Sequence, residues 1–175
     1  EIMDDLLDTV KTLVDYDAAG IFVLNQDLVY AQREHPIEKI AGVARRGFEE
    51  RPHTEDAMLM DGKGIIGHVI STCESLIAPD VSLDPYYFEG RSQTRSEIAV
   101  PIMRNKRAIG ALDLESDQLN AYHESDREIL ELFADAASIS IEKAMLHRQI
   151  LEKKLLDKQI ELARGVQSRL FPGEP

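Results

Sequence analysis

Glu97-Ile98-Ala99-Val100-Pro101-Ile102-Met103 and Ala108-Ile109-Gly110-Ala111-Leu112-Asp113-Leu114-Glu115 are two short apolar runs separated by Asn105-Lys106. Asn at the head of such a break is turn chemistry, because its side chain tolerates left-handed backbone. Two apolar runs joined by a tight turn predict an antiparallel pair of strands. Within the second run the expected alternation puts Ile109, Ala111 and their apolar neighbours on one side, with Asp113 and Glu115 on the other.

Working back towards the N-terminus, Gly62 and Gly64 open a short helix predicted over Ile65 to Thr72, and Leu76 to Ala78 reads as a brief strand. A long irregular stretch then runs to Thr94, with Asp84-Pro85 and Glu89-Gly90 as turn pairs. Before these, Ala18 to Leu24 reads as a buried strand, Asn25-Gln26-Asp27 as a turn, Leu28 to Pro36 as a loop or extra hairpin arm, and Lys39 to Arg46 as another strand. Ile2, Leu6, Val10 and Leu13, flanked by Met3, Leu7 and Val14, recur at helical spacing and predict a first amphipathic helix.

Beyond Glu115 the pattern changes to a helix opened by the Ser125/Glu128 capping box. From Ser125 to Arg164 there is neither Gly nor Pro. A continuous helix to Leu170 is ~70 Å long, more than a small domain spans. Its near half reads as core: Ile129, Leu132, Phe133, Ala136 and Ile139. Its far half carries two seams, Leu151, Leu155, Leu162 and Val166, then Leu156, Ile160, Ala163, Gln167 and Leu170. Such a stripe predicts a parallel homodimer through a coiled coil; folding back onto its own domain is the alternative.

These segments, in this order, resemble the GAF family: Gly62 to Val69, Leu76 to Val81, Asp84 to Tyr87, Arg95 to Ile102, Ile109 to Ser116, and Tyr122 with Ser125-Asp126. The resemblance covers roughly Met3 to Leu146. It implies an α+β fold: an antiparallel five- or six-stranded sheet flanked by helices, with a ligand pocket on one face. Glu161 to Pro172 resembles the segment before the catalytic domain in metal-dependent Ser/Thr phosphatases of the sporulation and stress-response branch, whose usual form is close to E-L-x-x-A-R-x-I-Q-x-x-L-L-P. Gly165 departs from that form and counts against an unbroken helix. The implied organisation is a sensory domain over 1–146 and a signalling linker helix over 147–175, leading to a phosphatase domain not contained here.

Composition bounds the partners. The net charge is −12; from Arg148 onward the chain is net +2, leaving −14 on the remainder. An acidic body repels phosphate backbones, so no nucleic acid is expected. No apolar run approaches the ~18 residues a membrane span needs. The lack of a signal region and the single cysteine point to a cytoplasmic piece of a longer protein.

The expected ligand site is His68 on the short helix together with Tyr87, Phe88, Arg91, Arg95 and Ser96. The aromatics supply apolar walls and the arginines forks for a small anionic metabolite of unknown identity. Surface exposure of the same residues is the alternative. Asn105-Lys106, Tyr122 and Asp126-Arg127 match the cyclic-nucleotide GAF pattern only in part, and a Lys106–Asp126 ion pair is the simpler expectation. The histidines His35, His53, His68, His123 and His147 are scattered, so no metal or haem is expected. Some GAF proteins reduce methionine sulfoxide with several cysteines; with Cys73 alone, the segment is expected not to be an enzyme. The functional expectation is a small-molecule sensor acting on the phosphatase through a dimeric linker helix, with a ligand-independent dimerisation scaffold as the alternative.

Overall fold

The computed structural model describes residues 2–24, 40–48 and 63–170. The Asn25-Gln26-Asp27 turn, the Leu28 to Pro36 arm, Gly62, His35 and His53 lie outside the described residues. In chain order the elements are α1 (Ile2–Lys11), β1 (Ala18–Leu24), β2 (Ile40–Arg46), α2 (Gly64–Thr72), β3 (Leu76–Ala78), a 3-10 turn (Val81–Leu83), β4 (Ser96–Arg104), β5 (Arg107–Ser116) and α3 (Glu124–Leu170). The chain divides into two compact units, 1–139 and 140–175, and α3 contributes to both.

Among the described residues, five strands form one antiparallel sheet in the order β2-β1-β5-β4-β3. The β4–β5 hairpin is closed by Asn105 and Lys106, with φ of 48° and 63°. Positive φ at both central residues is the turn whose twist matches that of the strands. Gly110 pairs with Val23 where a Cβ would meet the Phe22 carbonyl oxygen at 2.1 Å; only glycine fits that approach.

The period of two in a strand corrects one expectation. Ile109, Ala111, Asp113 and Glu115 are all odd positions of β5 and share one face. Phe22 and Ala111 on this face, with Ala99 of β4, form a buried cluster with Ile65, Ile66 and Val69 of α2. The other face carries Ile98, Val100, Leu112 and Leu114, each at most 1% exposed. At roughly 2 kcal/mol for each such buried aliphatic side chain, this double burial is the main stabilising term for the sheet. α1 packs on β1 and β2.

Helix α3 begins one residue before the predicted capping box. The Asp126 carboxylate accepts the backbone N–H of His123 at 2.8 Å, so His123 is the cap residue and Asp126 reaches back to it. Asp126 therefore serves the helix start, where Lys106 had been expected as its partner. The predicted core face is also displaced. Leu130, Ala134 and Ala137 are buried, whereas Leu132 is 73% and Ile139 61% exposed. α3 continues past Gly165 to Leu170, and the side chains from 165 onward lie outside the described set. Among the described residues no helix is long and apolar enough to cross a membrane.

Candidate functional site

A cavity of about 550 Å³, counted out to open solvent, lies between the N-terminal turn of α2 and the sheet face that α2 covers. Glu97, Asp113 and Glu115 line it together with Phe22, Ile65 and Phe88. The register explains why three carboxylates meet. Glu97 pairs with Glu115 across the β4–β5 ladder, Ala99 pairs with Asp113, and the odd positions of both strands face α2. Gly20 pairs with Asp113 from the other side. Having no side chain, it lets the Phe22 ring lie over it, where a Cβ would meet that ring at 2.6 Å.

Glu97, Asp113 and Glu115 are each at most 5% exposed. Burial is the main force pushing Glu97 well above the usual carboxylate range, and the Asp113 and Glu115 charges push the same way. Asp113 is also raised well above its usual value, by burial and then by Glu115. Glu97 and Asp113 share a hydrogen bond that favours the protonated form of Glu97 and the ionised form of Asp113. The Thr94 hydroxyl donates to Glu115 Oε2. Asp113 Oδ1 is buried with no hydrogen-bond partner. A buried acceptor without a donor costs about 1–3 kcal/mol, so its persistence is informative. Among the described residues no group of His, Cys, Asp and Glu is arranged to hold a metal ion.

The cavity has a cationic side as well. Arg45 and Lys63 line it, and the Arg45 guanidinium carbon lies 5.3 Å from the centroid of the Phe22 ring. Lys63 is the cap residue of α2 and makes no side-chain cap, which leaves first-turn N–H groups facing this end.

The residues expected to bind ligand are placed as follows. Phe88 lines the cavity. Tyr87 packs against the α2 cluster. Its hydroxyl donates to the Arg91 carbonyl at 3.4 Å, and burial first, then Glu115 and Glu97, raise its pKa beyond the ordinary tyrosine range. His68 stacks on the exposed ring of Tyr86, with centroids 3.8 Å apart and planes at 18°. The guanidinium of Arg91 pairs with Asp117, and Arg91 is not among the residues lining the cavity. Arg95 is exposed and joins the fold through its backbone, donating to Ser116 O at 2.8 Å. The Ser96 hydroxyl donates to Gln118 O at 2.7 Å and accepts from Ala121 N at 3.3 Å, ordering the chain after β5. Where arginine forks were expected, the described lining of the cavity includes the carboxylate trio. Its members were missed because each reads as a half-exposed strand position; the odd spacing of Asp113 and Glu115, set against Glu97 across a known hairpin, was the available signal.

Cys73 ends α2 in left-handed backbone, φ 60°, and is half-buried. It lines a different cleft, with Ser75, Met103 and Arg127. The nine residues of α2 separate it from the cavity at that helix's N-terminus, a length of about 13 Å.

A covered sheet of order 2-1-5-4-3 with a cavity under a short helix defines an α+β domain. The sequence model of the GAF domain family matches residues 1–142, and the chain belongs to that family. It is 36% identical over 78 residues to the free methionine-R-sulfoxide reductase of Saccharomyces cerevisiae, covering 44% of this chain and 43% of that protein. It is 36% identical over 69 residues to GAF domain-containing protein A of Dictyostelium discoideum, covering 39% and 44%. The matches thus span less than half of these curated relatives. Among solved structures, the type II free methionine-R-sulfoxide reductase of Thermoplasma acidophilum superposes with a TM-score of 0.62 at 27% identity, over 78% of this chain and 86% of that one. These findings correct the expectation that the segment is not an enzyme: it is similar in sequence and in structure to enzymes. That expectation rested on the cysteine count, which does not report ancestry.

Proposed function

We propose that the cavity binds a free amino acid of the methionine type, with methionine-R-sulfoxide the first ligand to test. The observation that carries this reading is Asp113 Oδ1, buried without a donor in a cavity it shares with Glu97 and Glu115. An ammonium group supplies three donors and a positive charge, which meets both needs of the trio. Phe22, Ile65 and Phe88 offer apolar wall for a thioether or sulfoxide chain. The similarity to free methionine-R-sulfoxide reductases supports the same ligand class.

Reduction of a sulfoxide takes two thiols: they become a disulfide, and the oxygen leaves with their protons as water. The chain has one cysteine, Cys73, on another cleft. In this reading the reducing thiols are supplied by a second molecule. The test is calorimetric titration with free L-methionine-R-sulfoxide, paired with turnover measured in dithiothreitol. Binding lost in Asp113→Asn, with product formed, supports a reductase; binding without product supports a sensor. No binding to wild type overturns the ligand assignment.

A regulatory output is favoured by a separate observation. Leu146, Ile150, Leu151, Leu155, Leu156, Ile160 and Leu162 of the second unit are all 43% exposed or more. Solvated apolar residues at this density call for a partner helix, and the reading is a second copy of the chain in parallel. The likeness of Glu161 to Pro172 to a phosphatase linker supports passing the ligand signal to such a domain.

A further inference from the structure

Resting on the free-amino-acid reading, we propose that Arg45 is the specificity residue that takes the ligand's carboxylate, so that the cavity reads both charges of a zwitterion and rejects amides, esters and peptide-bound residues. The argument comes from the sheet register. Arg45 of β2 is the partner of Gly20, and Gly20 is the partner of Asp113 of β5. One row across the sheet therefore carries a cation, a bare position and an anion, all on the face that α2 covers. Adjacent strands lie about 4.8 Å apart, so the two charged positions are separated by roughly 10 Å. Both side chains reach one cavity from these positions, so a ligand seated in it can meet the guanidinium and the carboxylate together. The Phe22 ring lies over Gly20, where a Cβ would meet it at 2.6 Å, and Arg45, Phe22 and Asp113 line the same cavity.

The guanidinium carbon lies over the Phe22 ring, 5.3 Å from its centroid, a cation–π contact that helps position it. A guanidinium carries five N–H donors in a planar fork that matches a carboxylate. The first turn of α2 lines the same cavity and adds positive potential there. At the opposite end, the partnerless Asp113 Oδ1 marks where the ammonium goes.

The experiment compares three probes on the whole chain by calorimetry: L-methionine sulfoxide, its methyl ester, and 3-(methylsulfinyl)propylamine. Wild type should bind the acid at least roughly tenfold tighter than either carboxylate-free probe, the worth of one hydrogen bond to a charged group. Arg45→Gln should bind all three about equally, at the wild-type affinity for the ester. Lys63→Gln should keep the preference for the acid. Melting temperatures of both variants check that each is folded. If Arg45→Gln is folded and still prefers the acid, or if Lys63→Gln is the variant that loses the preference, the assignment of Arg45 falls. If wild type binds the amine probes as well as the acid, the zwitterion idea falls while the ammonium site stands. If wild type binds none of the three, it is the free-amino-acid reading itself that fails.

Discussion

Asp113 and Glu97 couple the cavity to pH. Both carboxyls are raised in the folded chain, chiefly by burial, from ordinary values of 3.8 and 4.5. Below those values they are neutral in folded and unfolded chain alike, and no stability is lost. As pH rises above them, the unfolded chain ionises freely while the buried groups hold their protons. Stability then falls by up to about 1.4 kcal/mol per pH unit for each carboxyl, until the folded groups ionise too. The ligand-free protein should therefore melt at lower temperature as pH is raised from about 5. Asp113→Asn should remove part of that slope and melt higher than wild type at neutral pH. A pH series of thermal melts of the two proteins checks this; parallel slopes would mean that Asp113 is ionised in the folded chain. At Gly110 the constraint is steric. Gly110→Ala puts a Cβ 2.1 Å from the Phe22 carbonyl oxygen, which is backbone and cannot rotate away. The expected cost is about 2–4 kcal/mol, readable as a fall in the midpoint of urea unfolding.

Helix α3 is the element where sequence and structure diverge most. Ile129, Leu130, Leu132, Phe133, Ala134, Ala136 and Ala137 put apolar groups on several faces of the same turns, so helical periodicity alone does not choose among them. The buried stripe is Leu130, Ala134 and Ala137, and the predicted stripe is largely on the exposed side. The exposed residues Ile129, Leu132, Ala136 and Ile139 follow alternating steps of three and four. On the proposed self-association, this stripe extends the seam to well before Leu151. Leu132→Glu together with Ile139→Glu should leave the fold intact, because both side chains are already solvated. The same pair should weaken dimerisation by tenfold or more in sedimentation velocity, since two charges then face a second copy. An unaffected dimer would restrict the interface to the predicted seams between Leu151 and Leu170. The helix also runs through Gly165 to Leu170. A single glycine costs only roughly 1 kcal/mol against alanine, which the neighbouring helical residues offset.

For the molecule as a whole, ligand binding and stability are linked. A ligand at a hundred times its Kd should stabilise the domain by about 2.7 kcal/mol. For a chain of this size that is a rise of roughly 5–10 °C in melting temperature. Free methionine sulfoxide should produce the rise in wild type, and Asp113→Asn should not respond. A screen in which that variant still shifts would place the ligand outside the carboxylate cavity.

The hairpin of β4 and β5, the short helix α2, the long helix α3 and membership of the GAF family were settled by local sequence. Each rests on features a few residues apart: turn residues with positive φ, a period of two or of 3.6, and a run without Gly or Pro. The cavity did not follow from such features. Glu97 and Asp113 lie on different strands, and Arg45 on a third, so their meeting depends on strand order and register. Only the paired sheet puts Arg45, Gly20 and Asp113 in one row, and only the cover of α2 removes the carboxylates from water. The same holds for Arg91, whose sequence context suggests an anion site until the fold supplies Asp117 as its partner. Local sequence sets each backbone conformation through short-range sterics, whereas a site's charge is the sum over residues that only tertiary packing brings within reach.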